Sequence, residues 1–407
     1  MKNYFEIIDS CRLCASKSLE KILDLNEQPP ANSLYRPGDD EPCPAPLELM
    51  FCRSCSAVQL SATVNPEYLF TKYVWVTGTS KTAIDYSAEF AKNALIRCSS
   101  DASSVLEIAS NDGTFLKKFS ESGLNVLGVD PAQNIAATAT QQGIPTIPEF
   151  FNLELAKNLE QDGKRDIIFA RNVLPHVKEI LSMIQGIQLL LRDGGLGVIE
   201  FHDAGLILEE LHYDSVYHEH LFLLSLETLS KLLKQYNLHV FDILKSPISG
   251  GSWVVYFSNK KRDKTEALLA AEKRDKDHGI NTLERWKEFG LRATVHSNQL
   301  KQAIDQYNGK IVAYGASARS STLLNFCRLS NKNISAIIDK NPLKHGLLTP
   351  GTNIPIISYE DFLQDIENTK TILLLAWNFK EEVIKDLTRD GFKGEFIVPL
   401  PYGVHKE

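Results

Sequence analysis

The sequence predicts an α/β fold in three parts: a small cysteine-rich N-terminal module, a central Rossmann-like domain and a second, smaller Rossmann-like domain at the C-terminus. Three observations predict it. Two C-x-x-C pairs fall within the first 60 residues. Strand, turn and helix patterns then alternate from about residue 80 to 245, and resume from 310. The boundaries are set at 1–75, 76–258, a helical connector at 259–308, and 309–407. A chain of 407 residues exceeds what one hydrophobic core normally fills. Lys plus Arg total 44 and Asp plus Glu 51, a net charge of −7, which argues against nonspecific nucleic-acid binding. No stretch is long and apolar enough to span a membrane, and the start, MKNYFEIIDSCRLC, lacks a secretory apolar run. The expectation is a cytoplasmic protein, monomeric or weakly self-associating.

The N-terminal module holds Cys11 and Cys14 in CRLC, and Cys52 and Cys55 in CRSC. Each pair makes a tight knuckle, and four thiolates complete the tetrahedral shell of zinc. The loop of 37 residues between Cys14 and Cys52 is longer than in a usual zinc ribbon. A closed four-thiolate site leaves no open position, so its role is structural. Cys43 is a spare, and Cys98 and Cys327 read as core residues. A nucleic-acid-binding ribbon would need a basic face, which this segment lacks.

In the central domain, YSAEFAKNALIRC has helical spacing. VLEIASNDGTFL follows as a strand ending at Glu107 and Ile108, then a small-residue turn through Ala109, Asn111, Asp112 and Gly113 into a helix. Such turns bring backbone N–H groups close to a ligand. A pyrophosphate-binding turn would favour G-x-G-x-x-G. Here two of those glycines are missing and Glu107 and Asp112 flank the turn, which suits a cationic ligand. S-adenosylmethionine carries a sulfonium and an ammonium and no phosphate. The next strand, LNVLGVD, ends at Asp130, about 20 residues on, where a carboxylate accepts ribose hydroxyls. Asn172 in ARNVLPHV follows a third buried strand at the rim of the same site. GGLGVIEF is the fourth, and Glu200 and His202 at its end are placed in the substrate pocket.

The connector is charged and nearly free of turn residues, and reads as a solvated helix pair. Beyond it, AYGASARSST is a strand, turn and helix in which Ser317 stands where a dinucleotide fingerprint has glycine. Arg319 at the helix start, with Lys340 and Lys344 after the next strand, reads as an anion site for a phosphate-bearing substrate.

Together, CRLC…CRSC, EIASNDGTFL, ARNVLPHV, YHEHL, GASARSSTLLN, IDKNPLKHGLLTPGTNIPI and LLLAWNFKEEVI resemble the S-adenosylmethionine-dependent nucleotide-sugar C-methyltransferase family along essentially the whole chain. The resemblance implies a methyl transfer to C3 of a nucleotide-linked 4-keto-deoxysugar, dTDP-linked or similar. It makes 76–258 the methyltransferase domain and places active-site residues at Tyr217, Glu219 and His220. Methylating carbon requires a carbanion, and imidazole is a natural base near neutrality. His220 would take the C3 proton, Tyr217 would bond the enolate oxygen, and Glu219 would hold a sugar hydroxyl or orient the base. In an extended strand Tyr217 and Glu219 would share one face and the two histidines the other; a tight turn would gather all three. Two departures stand out. The family often has Lys-Gly where this chain has Arg319 and Ser320. A tyrosine-rich segment of the family reads YVWVTGTS here, at 73–80, with Trp75 and Thr79 where tyrosines stand. The competing readings are a methyltransferase for another keto-substrate or a sugar oxygen, a nucleotide-binding dehydrogenase, a metal site at His218, Glu219 and His220, and a noncatalytic zinc-ribbon scaffold.

Overall fold

The computed structural model describes residues 4–406 apart from 71–75, 247, 249–250, 308, 401–402 and 404. Trp75 of the tyrosine-like segment lies outside the described residues.

The cysteine module folds on a four-stranded antiparallel sheet. Its order is Phe222–Leu223, Val58–Leu60, Ala45–Cys52, Leu19–Gln28. The edge strand comes from the far side of the chain: Phe222 pairs with Gln59 and Leu223 with Val58. Alternation along Ala45–Cys52 buries Ala45, Leu47, Leu49 and Phe51 against the core.

The central sheet has seven strands, ordered His239–Ser246, Ser252–Ser258, Leu191–His202, Arg165–Arg171, Ser104–Ile108, Asn125–Val129, Thr146–Ile147. The last five run parallel, and Ser252–Ser258 is antiparallel to both its neighbours. Helices cover both faces, which is why these strands read as near-continuous apolar runs. One face carries an aromatic cluster of Tyr86, Phe90, Phe115, Phe119 and Phe169. The other merges into a core shared with the cysteine module, the connector and the C-terminal domain.

The connector forms helices Glu266–Asp277 and Leu283–Asp305, as its composition predicts, but the longer one is not solvated. Trp286, Phe289, Ala293, His296, Leu300 and Ile304 are buried on one face. Gly290 lets this helix lie against the strand Leu19–Gln28: a Cβ there would sit 1.9 Å from the Ile22 carbonyl oxygen. The connector is therefore a shared core element.

The C-terminal sheet has the order Ile356–Ile357, Ala336–Ile338, Ile311–Tyr314, Thr371–Leu374, Glu395–Val398, His405–Lys406, parallel except for its last pair. The cysteine module also touches this domain, through an antiparallel bridge of Tyr35 with Leu348 and through Glu41, which accepts from the Gly351 amide at 2.9 Å.

Candidate active site

The four cysteine sulfurs converge. Cys11 and Cys55 are 3.6 Å apart, as are Cys14 and Cys52, and all four ligand atoms lie within 4.8 Å of one another. A zinc tetrahedron with bonds of about 2.3 Å has edges of roughly 3.8 Å, so the cluster fits the ion. Each knuckle closes the same way: the Ala15 amide donates to the Cys11 carbonyl and the Ser56 amide to the Cys52 carbonyl, with Ala15 and Ser56 left-handed. Of the spare cysteines, Cys43 is exposed, Cys98 half-buried and Cys327 buried.

At the C-terminal edge of the central sheet, the turn after Ser104–Ile108 is built from left-handed residues: Ala109, Asn111 and Gly113 all have positive φ. Gly113 is required twice over, since a Cβ would meet Ile144 at 2.9 Å and its φ is 78°. Asp130 fixes the turn by accepting the Asn111 amide at 2.8 Å and the Ala132 amide at 2.9 Å. The Asn111 side chain accepts the Thr77 amide and Asp112 accepts the Gly78 amide, both at 2.8 Å, so residues 77–78 close over the turn. Glu107 lies beneath. It is 2% exposed, its Oε2 has no partner, and burial raises its pKa well above the usual carboxylate range, with Asp130, Asp112 and Glu200 adding to the rise against Arg171. Glu107, Asp112 and Asp130 meet at this turn, and a bound cation would offset the cost of ionising Glu107, so the residues fit the positively charged S-adenosylmethionine. Asn172 caps the neighbouring strand, left-handed at φ 49°, its amide donating to the Glu200 carbonyl.

The YHEH stretch is a tight turn. The His220 amide donates to the Tyr217 carbonyl at 2.8 Å. This closes the alternation an extended strand would impose and stacks the Tyr217 and His220 rings, centres 4.0 Å apart. His220 Nδ1 is 2.7 Å from the Ser215 carbonyl, which only accepts, so Nδ1 carries the proton. Nε2 is then the lone-pair nitrogen, and the Tyr217 hydroxyl donates to it at 2.8 Å. Burial pushes the His220 pKa well down, helped by His176 and the Arg319 cation, so the ring is neutral. Glu219 is 3% exposed and accepts from Asn32 of the cysteine module at 2.6 Å. Burial raises it to about 7. His218 donates through Nε2 to the Ala45 carbonyl at 3.1 Å, which ties the turn to the cysteine module. Among the described residues, the cysteine cluster alone groups three or more potential metal ligands, so the turn is not a metal site of this kind.

The residues expected around the substrate divide. His202 stacks on His212, 5.7 Å between ring centres, with its Nε2 unpartnered; burial pushes its pKa well down, and Arg319, His212 and His220 add to the fall. Glu200 is fully buried and locally held, by Arg171 at 2.9 Å and Ser246 at 2.7 Å. Ser317 caps its helix through a capping box with Ser320. Lys340 pairs with Asp386 on an exposed edge at 3.3 Å. Arg319, expected to hold an anion, already holds one of the protein's own: Nη2 and Nε donate to Asp214 at 2.9 and 3.1 Å.

Sequence reasoning missed four participants. His176 stands edge-on to His220, ring centres 4.8 Å apart, and is lowered to about 4 by burial. Its place in ARNVLPHV, just past the strand, was the available signal. Asp214 and Trp377 sit in YDSVYHEH and LLLAWNF. Asn32 lies about 190 positions away from its partner in sequence, so no local pattern points to it.

The protein is an S-adenosylmethionine-dependent methyltransferase carrying a zinc-binding module. It belongs to the C-methyltransferase family: it is 30% identical over 413 residues to the C-methyltransferase NovU of Streptomyces niveus, covering 98% of this chain and 97% of that one. Family models agree along the chain, with a zinc binding domain at residues 11–70, a methyltransferase domain at 83–243 and a C-methyltransferase C-terminal domain at 247–401. Solved structures similar to part of the chain include an S-adenosylmethionine-dependent methyltransferase of Clostridium acetobutylicum ATCC 824 (12% identity, 43% of this chain and 91% of that one, TM-score 0.34). Another is the magnesium protoporphyrin IX methyltransferase of Synechocystis PCC 6803 (14%, 44% and 78%, TM-score 0.32). No helix among the described residues is long and apolar enough to cross a membrane.

Proposed function

We propose that the enzyme methylates C3 of a nucleotide-linked 4-keto-deoxysugar, and that the Tyr217–His220 pair makes the carbon nucleophilic. One observation carries the reading: a neutral imidazole with its Nδ1 proton anchored on the Ser215 carbonyl and its Nε2 lone pair 2.8 Å from a tyrosine hydroxyl. With substrate in place, Tyr217 turns its O–H to the C4 carbonyl oxygen and releases Nε2. Nε2 takes the C3 proton, the C–H electron pair enters the C3–C4 bond, and negative charge gathers on the oxygen that Tyr217 bonds. Bound S-adenosylmethionine would supply an electrophilic methyl for the new bond to C3, leaving the S–C electron pair on its sulfur. Glu219 accepts a sugar hydroxyl, and Glu107, Asn111, Asp112 and Asp130 hold the cofactor side of the reaction. A cytoplasmic setting suits both the nucleotide sugar and four reduced zinc thiolates.

The test is incubation with 13C-methyl S-adenosylmethionine and a panel of 4-keto-6-deoxy nucleotide sugars. A labelled methyl on a carbon bearing no hydrogen is expected; a labelled methyl on oxygen would refute the reading. In deuterated water without methyl donor, wild-type enzyme should exchange the C3 proton. His220→Asn should lose both exchange and methylation by roughly 100-fold or more.

A further inference from the structure

Arg319 stands at the start of the helix Ala318–Phe326 in the C-terminal domain. Its partner Asp214 is 1% exposed and lies in the short helical turn Tyr213–Ser215, immediately before the Ser215 carbonyl that sets His220. Three N–H groups converge on the Asp214 carboxylate. Two are the Arg319 donors, and the third is the Trp377 indole at 2.9 Å. The guanidinium also lies over the Trp377 ring, 4.7 Å from its centre. The flanking residues are held from the same side: the Tyr213 hydroxyl lies 2.9 Å from His296 Nδ1 and 3.3 Å from Cys327 Sγ, and the His212 ring packs on Trp377. A planar fork on a buried carboxylate, with an indole completing the carboxylate's shell, leaves little freedom to residue 214. Asp214 immediately precedes Ser215, so anchoring it restrains the residue whose carbonyl orients the imidazole.

We propose that Arg319 is a positioning residue: with Trp377 it anchors Asp214, and through the Ser215 carbonyl it fixes the tautomer and aim of His220. The C-terminal domain thereby acts on the chemistry from behind the catalytic turn. The proposal rests on the reading of His220 as the base. Only a guanidinium gives two parallel donors to one carboxylate.

The experiment compares wild-type with Arg319→Lys, Asp214→Asn and the milder Trp377→Phe, with thermal melting as the check that each is folded. In protein labelled with 15N-histidine, the His220 ring (assigned by its loss in His220→Asn) should show the Nδ1–H tautomer. It should shift toward a tautomer mixture in Arg319→Lys and Asp214→Asn. With a dTDP-linked 4-keto-6-deoxysugar, kcat should fall roughly ten- to a hundredfold in both, with KM within about twofold. Trp377→Phe, which removes one donor and keeps a ring, should fall between them and wild-type. A KM raised about tenfold with kcat and the His220 signal unchanged would make Arg319 a ligand for the substrate's phosphates and overturn the proposal, as would no change in either readout. Should His220→Asn methylate at full rate, the base assignment fails, while the imidazole signal still reports whether the anchor sets its tautomer.

Discussion

Glu219 shows how one side chain's surroundings set its chemistry. It is buried, the Asn32 side-chain amide donates to it, and burial lifts its pKa from 4.5 to about 7. Its folded pKa is raised, so the fold favours the protonated form. The associated stability is full below pH 4.5 and is lost as pH rises through about 7. The shift corresponds to a few kcal/mol, on the order of 3. Glu219→Gln removes the titration and keeps an acceptor for Asn32, so its melting temperature should gain on wild-type as pH rises through 7. Activity should change in a matching way. The ionised carboxylate is the better acceptor for a sugar hydroxyl, so wild-type kcat/KM should rise through about pH 7 and the variant should lack that step. A step that persists in the variant would belong to another group. The proximity of these side chains was partly legible. Tyr217, Glu219 and His220 are adjacent and polar within an apolar run, and only a turn brings a tyrosine and a histidine three residues apart into contact. What the residues could not show was the partner of Glu219, because Asn32 lies about 190 positions away.

Strands and helices long enough to carry a period were readable, and those that were not depended on distant partners. Ser104–Ile108, Arg165–Arg171 and Ile311–Tyr314 announce themselves as apolar runs bounded by turns. Phe222–Leu223 is two residues long, has no period of its own, and exists because Val58–Leu60 offers an edge. The helix Leu283–Asp305 is the instructive element. Its charge density suggested solvent on all sides, yet the apolar positions at 286, 289, 293, 300 and 304 already form one face. The misleading feature was charge on the remaining faces. Gly290 tests the packing of that stripe. Gly290→Ala would drive a methyl into the Ile22 carbonyl, and backbone cannot move aside as a side chain can. The expected loss is about 1–3 kcal/mol, read as a lower melting temperature. A variant as stable as wild-type would mean that helix and strand are free to separate.

On the scale of the whole molecule, the three parts share a core, and the turn at 217–220 lies where they meet. The C-terminal domain keeps a Rossmann-like strand, turn and helix, but Ser317 is engaged in a capping box and Asp339 accepts the Ala316 amide at 2.9 Å. That end of the sheet is organised by its own side chains, which fits a domain that anchors the turn. The cysteine module grips the turn from the other direction. Asn32 holds Glu219, the Ala45 carbonyl takes the His218 proton, and the Leu60 amide donates to Leu221 at 3.0 Å. Zinc sits at the root of this grip, because Cys52 ends the strand Ala45–Cys52 that begins at the residue holding His218. Stripping the metal, by chelation or by Cys14→Ser, should therefore act at a distance. The Leu60 amide should lose hydrogen-exchange protection and methylation should fall at least tenfold. The cofactor cradle lies on a separate sheet with its own closing residues, so affinity for S-adenosylhomocysteine by calorimetry should stay within about threefold. If affinity and methylation instead vanish together, zinc is holding up the entire fold; if neither changes, the module does not support the turn that it touches.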